Sequence, residues 1–142
     1  MFRTLEISFV IFTILMILFV SNVAWADDMD VAKYNYIMNC QGCHIADGSG
    51  SPGKVPRMKN FIGRFLEVEG GREYLVQVPG SALSTLNNEK LALVLNWILK
   101  EFSSDQIPND FLKYTAEEVS ALRKTPLTEV VSKRQELIDL MQ

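Results

Sequence analysis

The chain has 142 residues, 48% of them hydrophobic, with 14 Lys and Arg against 17 Asp and Glu and a net charge of −3. That length suffices for one ordinary domain with a real core and leaves little room for two. No basic block exists to follow a phosphate backbone, which argues against nucleic acid as a partner.

The first segment reads as a targeting signal. Met1-Phe2-Arg3 is a short basic start, Ile7 to Val20 is almost wholly apolar, and Ala24-Trp25-Ala26 has the small-x-small form cut by signal peptidase. Together these predict a secretory signal peptide over residues 1–26 and a periplasmic mature chain starting at Asp27. The alternative is an uncleaved anchor, because Ile7 to Ala26 is nearly long enough to span a bilayer. Membrane association is expected only in that case. Cleavage would remove Arg3 and Glu6 together and leave the net charge at −3.

Asp30 suits the start of a helix with Val31, Tyr34, Ile37 and Met38 along one side. That helix leads into Cys40-Gln41-Gly42-Cys43-His44, which holds both cysteines and the single histidine of the chain. C-x-x-C-H is the attachment signature of c-type haem. The thiols add across the two haem vinyl groups as thioethers, and the imidazole after the second cysteine is held beneath the iron. One helical turn separates the thiols, so both reach the same porphyrin edge. A redox disulfide would need a thioredoxin-like βαβ setting that the flanks lack. A zinc site would need a fourth ligand, and no Cys or His remains. Cys40, Cys43 and His44 are therefore expected to hold one covalent haem c per chain, with His44 on the iron.

Ala46 to Gly53 is a Gly/Ser/Pro loop. Further on, Asn87 or Asn88 makes a good N-cap and Glu89 suits a first turn. Leu91, Val94, Leu95, Ile98 and Phe102 then share one helical face, suited to packing on the N-terminal helix. Trp97 is expected near the pocket wall. Residues 103–110 read as a linker. Thr115-x-x-Glu118 is a capping box for a helix to about Lys124, and Thr125-Pro126 suits the start of another. In that last helix Val130, Val131, Leu137, Ile138 and Met141 form a partial apolar stripe.

From about Asp30 to Phe102 the chain resembles a class I c-type cytochrome, the bacterial monohaem family. Ala46 to Gly53 resembles the stretch "ADGxGxPG", and Pro56-Arg57-Met58-Lys59-Asn60-Phe61-Ile62-Gly63-Arg64 resembles P-x-L-x-G-L-x-G-R. Leu86 to Leu99 is similar to the helix that closes the family fold. The resemblance implies an all-α fold: a small helical domain over residues 27–102 around one covalent haem, with residues 103–142 as a helical extension. That extension wraps the domain, forms an added layer or loose tail, or docks a partner. The resemblance also implies that the Pro56 carbonyl accepts the proton on the far nitrogen of His44. It puts Arg64 beside a haem propionate, a solvated surface arginine being the alternative. Asn60 stands where the family has Gly.

The family's sixth iron ligand is usually a Met before the closing helix. Residues 72–83 hold none, and Val78-Pro79 stands where Met-Pro would be expected. Open or water-bound iron, or an atypical ligand from residues 72–83, is the expectation. Met58 is the alternative, although its place beside Pro56 suits a thioether packed on the haem. The leading function is a periplasmic one-electron carrier, serving a redox protein or accepting electrons from a dehydrogenase. Binding of a small ligand at an open sixth site is the alternative. Catalysis is disfavoured because His44 is the only histidine.

Overall fold

The computed structural model describes residues 28–141, so the predicted signal segment lies outside the described residues. Helix α1, Asp28–Asn39, carries Asp28 and Asp30 in its first turn, where carboxylates favour the positive helix end. Its buried face is Ala32, Asn35 and Tyr36, at helical i, i+3, i+4 spacing. The face expected from apolarity is not this one: Tyr34 and Met38 are each 63% exposed and Ile37 45%. Small Ala32 and planar Tyr36 admit a close helix–helix approach, and buried Asn35 satisfies its amide on the Val31 carbonyl at 2.8 Å. Helix α2 is a single turn, Gln41–His44.

The loop that follows is set by left-handed residues. Gly48 has φ +70°, and a Cβ there would lie 2.8 Å from the Phe102 ring. Asn60, at the family's glycine position, has φ +53°. Asparagine is among the few side chains that visit this region routinely, so the turn is retained.

A 3₁₀ helix spans Ile62–Glu67, followed by α3, Gly71–Gln77, and α4, Pro79–Ala82. Helix α5, Asn88–Ser103, is capped by Asn87, whose side chain accepts from the Lys90 N–H at 2.8 Å. All five face residues named from its sequence, Leu91 to Phe102, are buried, and α5 packs on α1. Tyr36 joins them, its ring 5.0 Å from Trp97 and 5.4 Å from Phe102.

Residues 103–110 are more than a linker. A short 3₁₀ turn covers Ser104–Gln106. Ser103 Oγ accepts from the buried Gly63 N–H at 3.0 Å and donates to Gln106 Oε1, while Gln106 Nε2 donates to the Asn60 carbonyl at 3.1 Å. Helix α6, Ala116–Leu122, begins at Thr115, whose hydroxyl accepts from the Glu118 N–H at 3.2 Å. The Glu118 carboxylate does not turn back to complete the capping box; it accepts from Arg72 instead, at 2.5 and 2.7 Å.

Helix α7, Val130–Leu140, starts later than Pro126 suggests. The Leu127 N–H is already committed to the Gln77 carbonyl at 2.9 Å, which holds the preceding residues along the end of α3. Within α7, Leu137 is fully buried whereas Val131 is 85% exposed, so the inward stripe is narrower than expected.

Tyr114, Val119 and Leu137 belong to the same core as Leu91, Val94 and Leu99. The fold is all-α, with a lone bridge between Ser51 and Val55 and no strand among the described residues. No described helix is long and apolar enough to cross a membrane.

Candidate cofactor site

The end of α1 and the turn of α2 bring Cys40, Cys43 and His44 to the wall of one cavity of about 360 Å³. Its apolar lining includes Ile62, Phe65, Leu75, Val78, Leu95 and Ile98. Both thiols are free; Cys40 is half-buried and Cys43 exposed. Burial pushes the Cys40 thiol above its ordinary value, with Cys43 adding to the shift.

Burial also lowers the pKa of His44, a shift partly offset by the Pro56 carbonyl acting on the ring as a hydrogen-bond acceptor. Nδ1 is nonetheless buried without a well-formed hydrogen bond, so this pairing is loose. The backbone after His44 is tightly held. Ile45 has φ 65° and ψ 163°, a region costly for a β-branched residue. The Tyr36 hydroxyl donates to the Ile45 carbonyl at 2.5 Å, and the Gly50 N–H donates to the His44 carbonyl at 3.1 Å. Burial, then the nearby Cys40 and Asp47, pushes the Tyr36 phenol up to about 12. It donates this bond across the ordinary pH range.

Of the sequence candidates, Cys40, Cys43, His44, Pro56 and Met58 line the same cavity. Arg64 lies outside that lining; its Nη2 donates to the Met141 carbonyl at 2.8 Å, and its guanidinium sits 5.7 Å from the Phe61 ring. Trp97 also lies away from the lining, within the aromatic group at Tyr36 and Phe102. Met58 is only 7% exposed. From the segment where an atypical distal ligand is expected, Tyr74, Leu75, Val78, Pro79, Gly80 and Ser81 reach the cavity.

Three contributors have no readable sequence signal. Tyr36 reads like any helix aromatic. Val130 and Arg134 come from α7, in a region with no place in the minimal family pattern, yet both line the cavity.

The lining suits an iron porphyrin. Two thiols one turn apart match its two vinyl groups, and the imidazole supplies a nitrogen for iron. The apolar side chains match the faces of its ring. Among 21 lining residues there is no Asp or Glu, while Lys54, Arg57 and Arg134 are present to meet its carboxylates.

An all-α domain with this cavity over C-x-x-C-H has the form of a c-type cytochrome. No family model matches the chain. It is 34% identical over 118 aligned residues to cytochrome c-552 of Thermus thermophilus, spanning 69% of this chain and 90% of that relative. A second cytochrome c-552 of the same species is equally similar, with 80% of its length covered. The chain belongs to the c-type cytochromes. Its cofactor is covalent haem c, and it is an electron-transfer protein, not an enzyme.

Proposed function

We propose that this chain is a periplasmic one-electron carrier whose haem is bonded to Cys40 and Cys43 and ligated by His44, with Pro56 supporting the imidazole. One observation carries the reading: both thiols, the only imidazole and Pro56 line a single apolar cavity, and the Nδ1 of that imidazole is buried beside an acceptor it has not fully engaged. Bound haem supplies an iron that takes up and releases one electron. The chain's own residues fix the ring, exclude water from its faces and leave an exit. Cys43 is exposed, so the edge of a haem bonded there would lie near the surface. Small rearrangement around a covalent group suits an acceptor for a periplasmic dehydrogenase or another redox protein. The signal-like segment over residues 1–26 supports that location. His44→Ala tests the assignment: the native optical spectrum is lost while haem stays attached, and retained native ligation would refute it.

A second reading, small-ligand binding at the sixth site, is favoured by the distal segment. Val78, Pro79, Gly80 and Ser81 line the cavity without a Met, His or Cys among them. Carbon monoxide added to the reduced protein separates the readings. Prompt binding supports an open or weakly held site. A low-spin spectrum unmoved by the gas counts against it, and a Met-to-iron charge-transfer band would place Met58 on the iron.

A further inference from the structure

Ile45, directly after the imidazole, is a β-branched residue held at φ 65° and ψ 163°, a region that in practice belongs to glycine. Nothing Ile45 does for itself offsets the cost. Its side chain is exposed, and its N–H makes only an ordinary helical bond to the Gln41 carbonyl at 2.8 Å. Such a conformation persists only where its surroundings over-determine it. Here the surroundings are the Tyr36 hydroxyl, which donates to the Ile45 carbonyl at 2.5 Å. Tyr36 is fully buried on α1, its ring 5.0 Å from Trp97 and 5.4 Å from Phe102, so the phenol has no room to swing away. Phe102 meets the same loop again three residues on, where a Cβ at Gly48 would lie 2.8 Å from its ring.

The far side of the imidazole is tied to this segment. The Gly50 N–H donates to the His44 carbonyl at 3.1 Å, and a Cβ at Gly50 would lie 2.8 Å from the Pro56 carbonyl oxygen. The backbone that carries the ring and the carbonyl that faces it are therefore packed as one unit. A metal-bound histidine takes its ring orientation from partners beyond the metal. Pro56 by itself is a weak guide, since Nδ1 has no well-formed hydrogen bond. The stronger guide is the backbone that follows the ring.

We propose that Tyr36 is a positioning residue for His44: by holding Ile45 in its strained region, the phenol hydroxyl fixes the orientation of the iron-bound imidazole. This role rests on the proposed haem attachment and His44 ligation. An imidazole kept in one orientation through oxidation and reduction leaves little to rearrange as an electron passes. A phenylalanine would fill the same aromatic slot without holding the carbonyl, so the hydroxyl is the group that matters.

The test is the proton NMR spectrum of the ferric, haem-loaded full chain, in which the spread of the haem-methyl resonances reads the orientation of the axial imidazole plane. Tyr36→Phe keeps the ring and removes only the hydroxyl. Its spread is expected to narrow, because the imidazole then samples more than one orientation. Ile45→Gly alone should keep the wild-type spread, since the hydroxyl bond remains. Tyr36→Phe combined with Ile45→Gly should recover most of it, because glycine occupies the same region without strain. A wild-type spread in Tyr36→Phe, even with a lower urea midpoint, would overturn the role and leave the hydroxyl as a stability contact. A double variant no better than Tyr36→Phe would also overturn it, by showing that the conformation of Ile45 is not what the hydroxyl controls. Failure of the underlying haem reading looks different: a wild-type chain without covalent haem on a denaturing gel, or a wild-type methyl pattern retained in His44→Ala, overturns both together.

Discussion

Asp47 shows how much of the site's support comes from side chains that never touch the cavity. Its carboxylate accepts from the Ser49 N–H at 3.1 Å and pairs with Lys59 at 3.2 Å, bracing the loop that follows His44. The Ser49 hydrogen bonds, with help from Lys59, hold its pKa at about 2 instead of 3.8. A carboxylate with a lowered folded pKa contributes stability that is complete above its ordinary value and lost as pH falls toward the folded one. Acid unfolding of the wild-type chain should therefore steepen between about 3.8 and 2, and Asp47→Asn should flatten that limb. Urea midpoints at stepped pH measure it. At the same scale, Asn60 illustrates a substitution legible in chemical terms: an asparagine replaces glycine where φ is +53° because its short amide tolerates the left-handed region.

Among the elements, the turn joining α4 to α5 depends on one side chain from far along the chain. Arg123 donates to the carbonyls of Ala82 at 3.0 Å, Ser84 at 2.7 Å and Leu86 at 2.8 Å, and to Asn88 Oδ1 at 3.1 Å. These bonds fix the segment that runs on from the distal cavity wall into the start of α5. Arg123→Gln should cost about 2 kcal/mol, the scale of charge-assisted bonds lost from a partly buried site, read from urea unfolding. The α5 helix itself was legible in sequence, because its cap and five-residue apolar face obey local rules. The inward face of α1 was not, since Tyr34, Ile37 and Met38 are more conspicuous than Ala32 and Asn35. What selects a face there is the fit to α5, and fit is a property of two helices. The late start of α7 has the same origin, in a backbone bond from Leu127 to Gln77 that no local pattern announces.

Across the whole molecule, one core joins the haem-binding helices to the extension. Leu137 is fully buried, and replacing it with Ala should cost about 3 kcal/mol through lost burial and a residual cavity. Helical signal and the near-ultraviolet signal of the Tyr36–Trp97–Phe102 group should fall together and shift equally in Leu137→Ala. An unshifted aromatic transition would mark the extension as a separate unit. Cys40, Cys43 and His44 come together at one cavity because near neighbours in sequence need only one helical turn to do so. The cations and the outer wall were hidden because they come together only through long-range packing.

The position of α7 also bears on how the cavity is completed during folding. A chain is synthesised from its amino end, so Cys40, Cys43 and His44 emerge long before Val130 and Arg134. Until α7 docks, the cleft above the pentapeptide lacks that side, and a bulky planar porphyrin can be presented edge-on to the thiols. Docking would then close that side of the cleft behind a cofactor bonded beforehand. Maturation by this route never requires the prosthetic group to pass through a finished protein wall, and α7 acts as the closure.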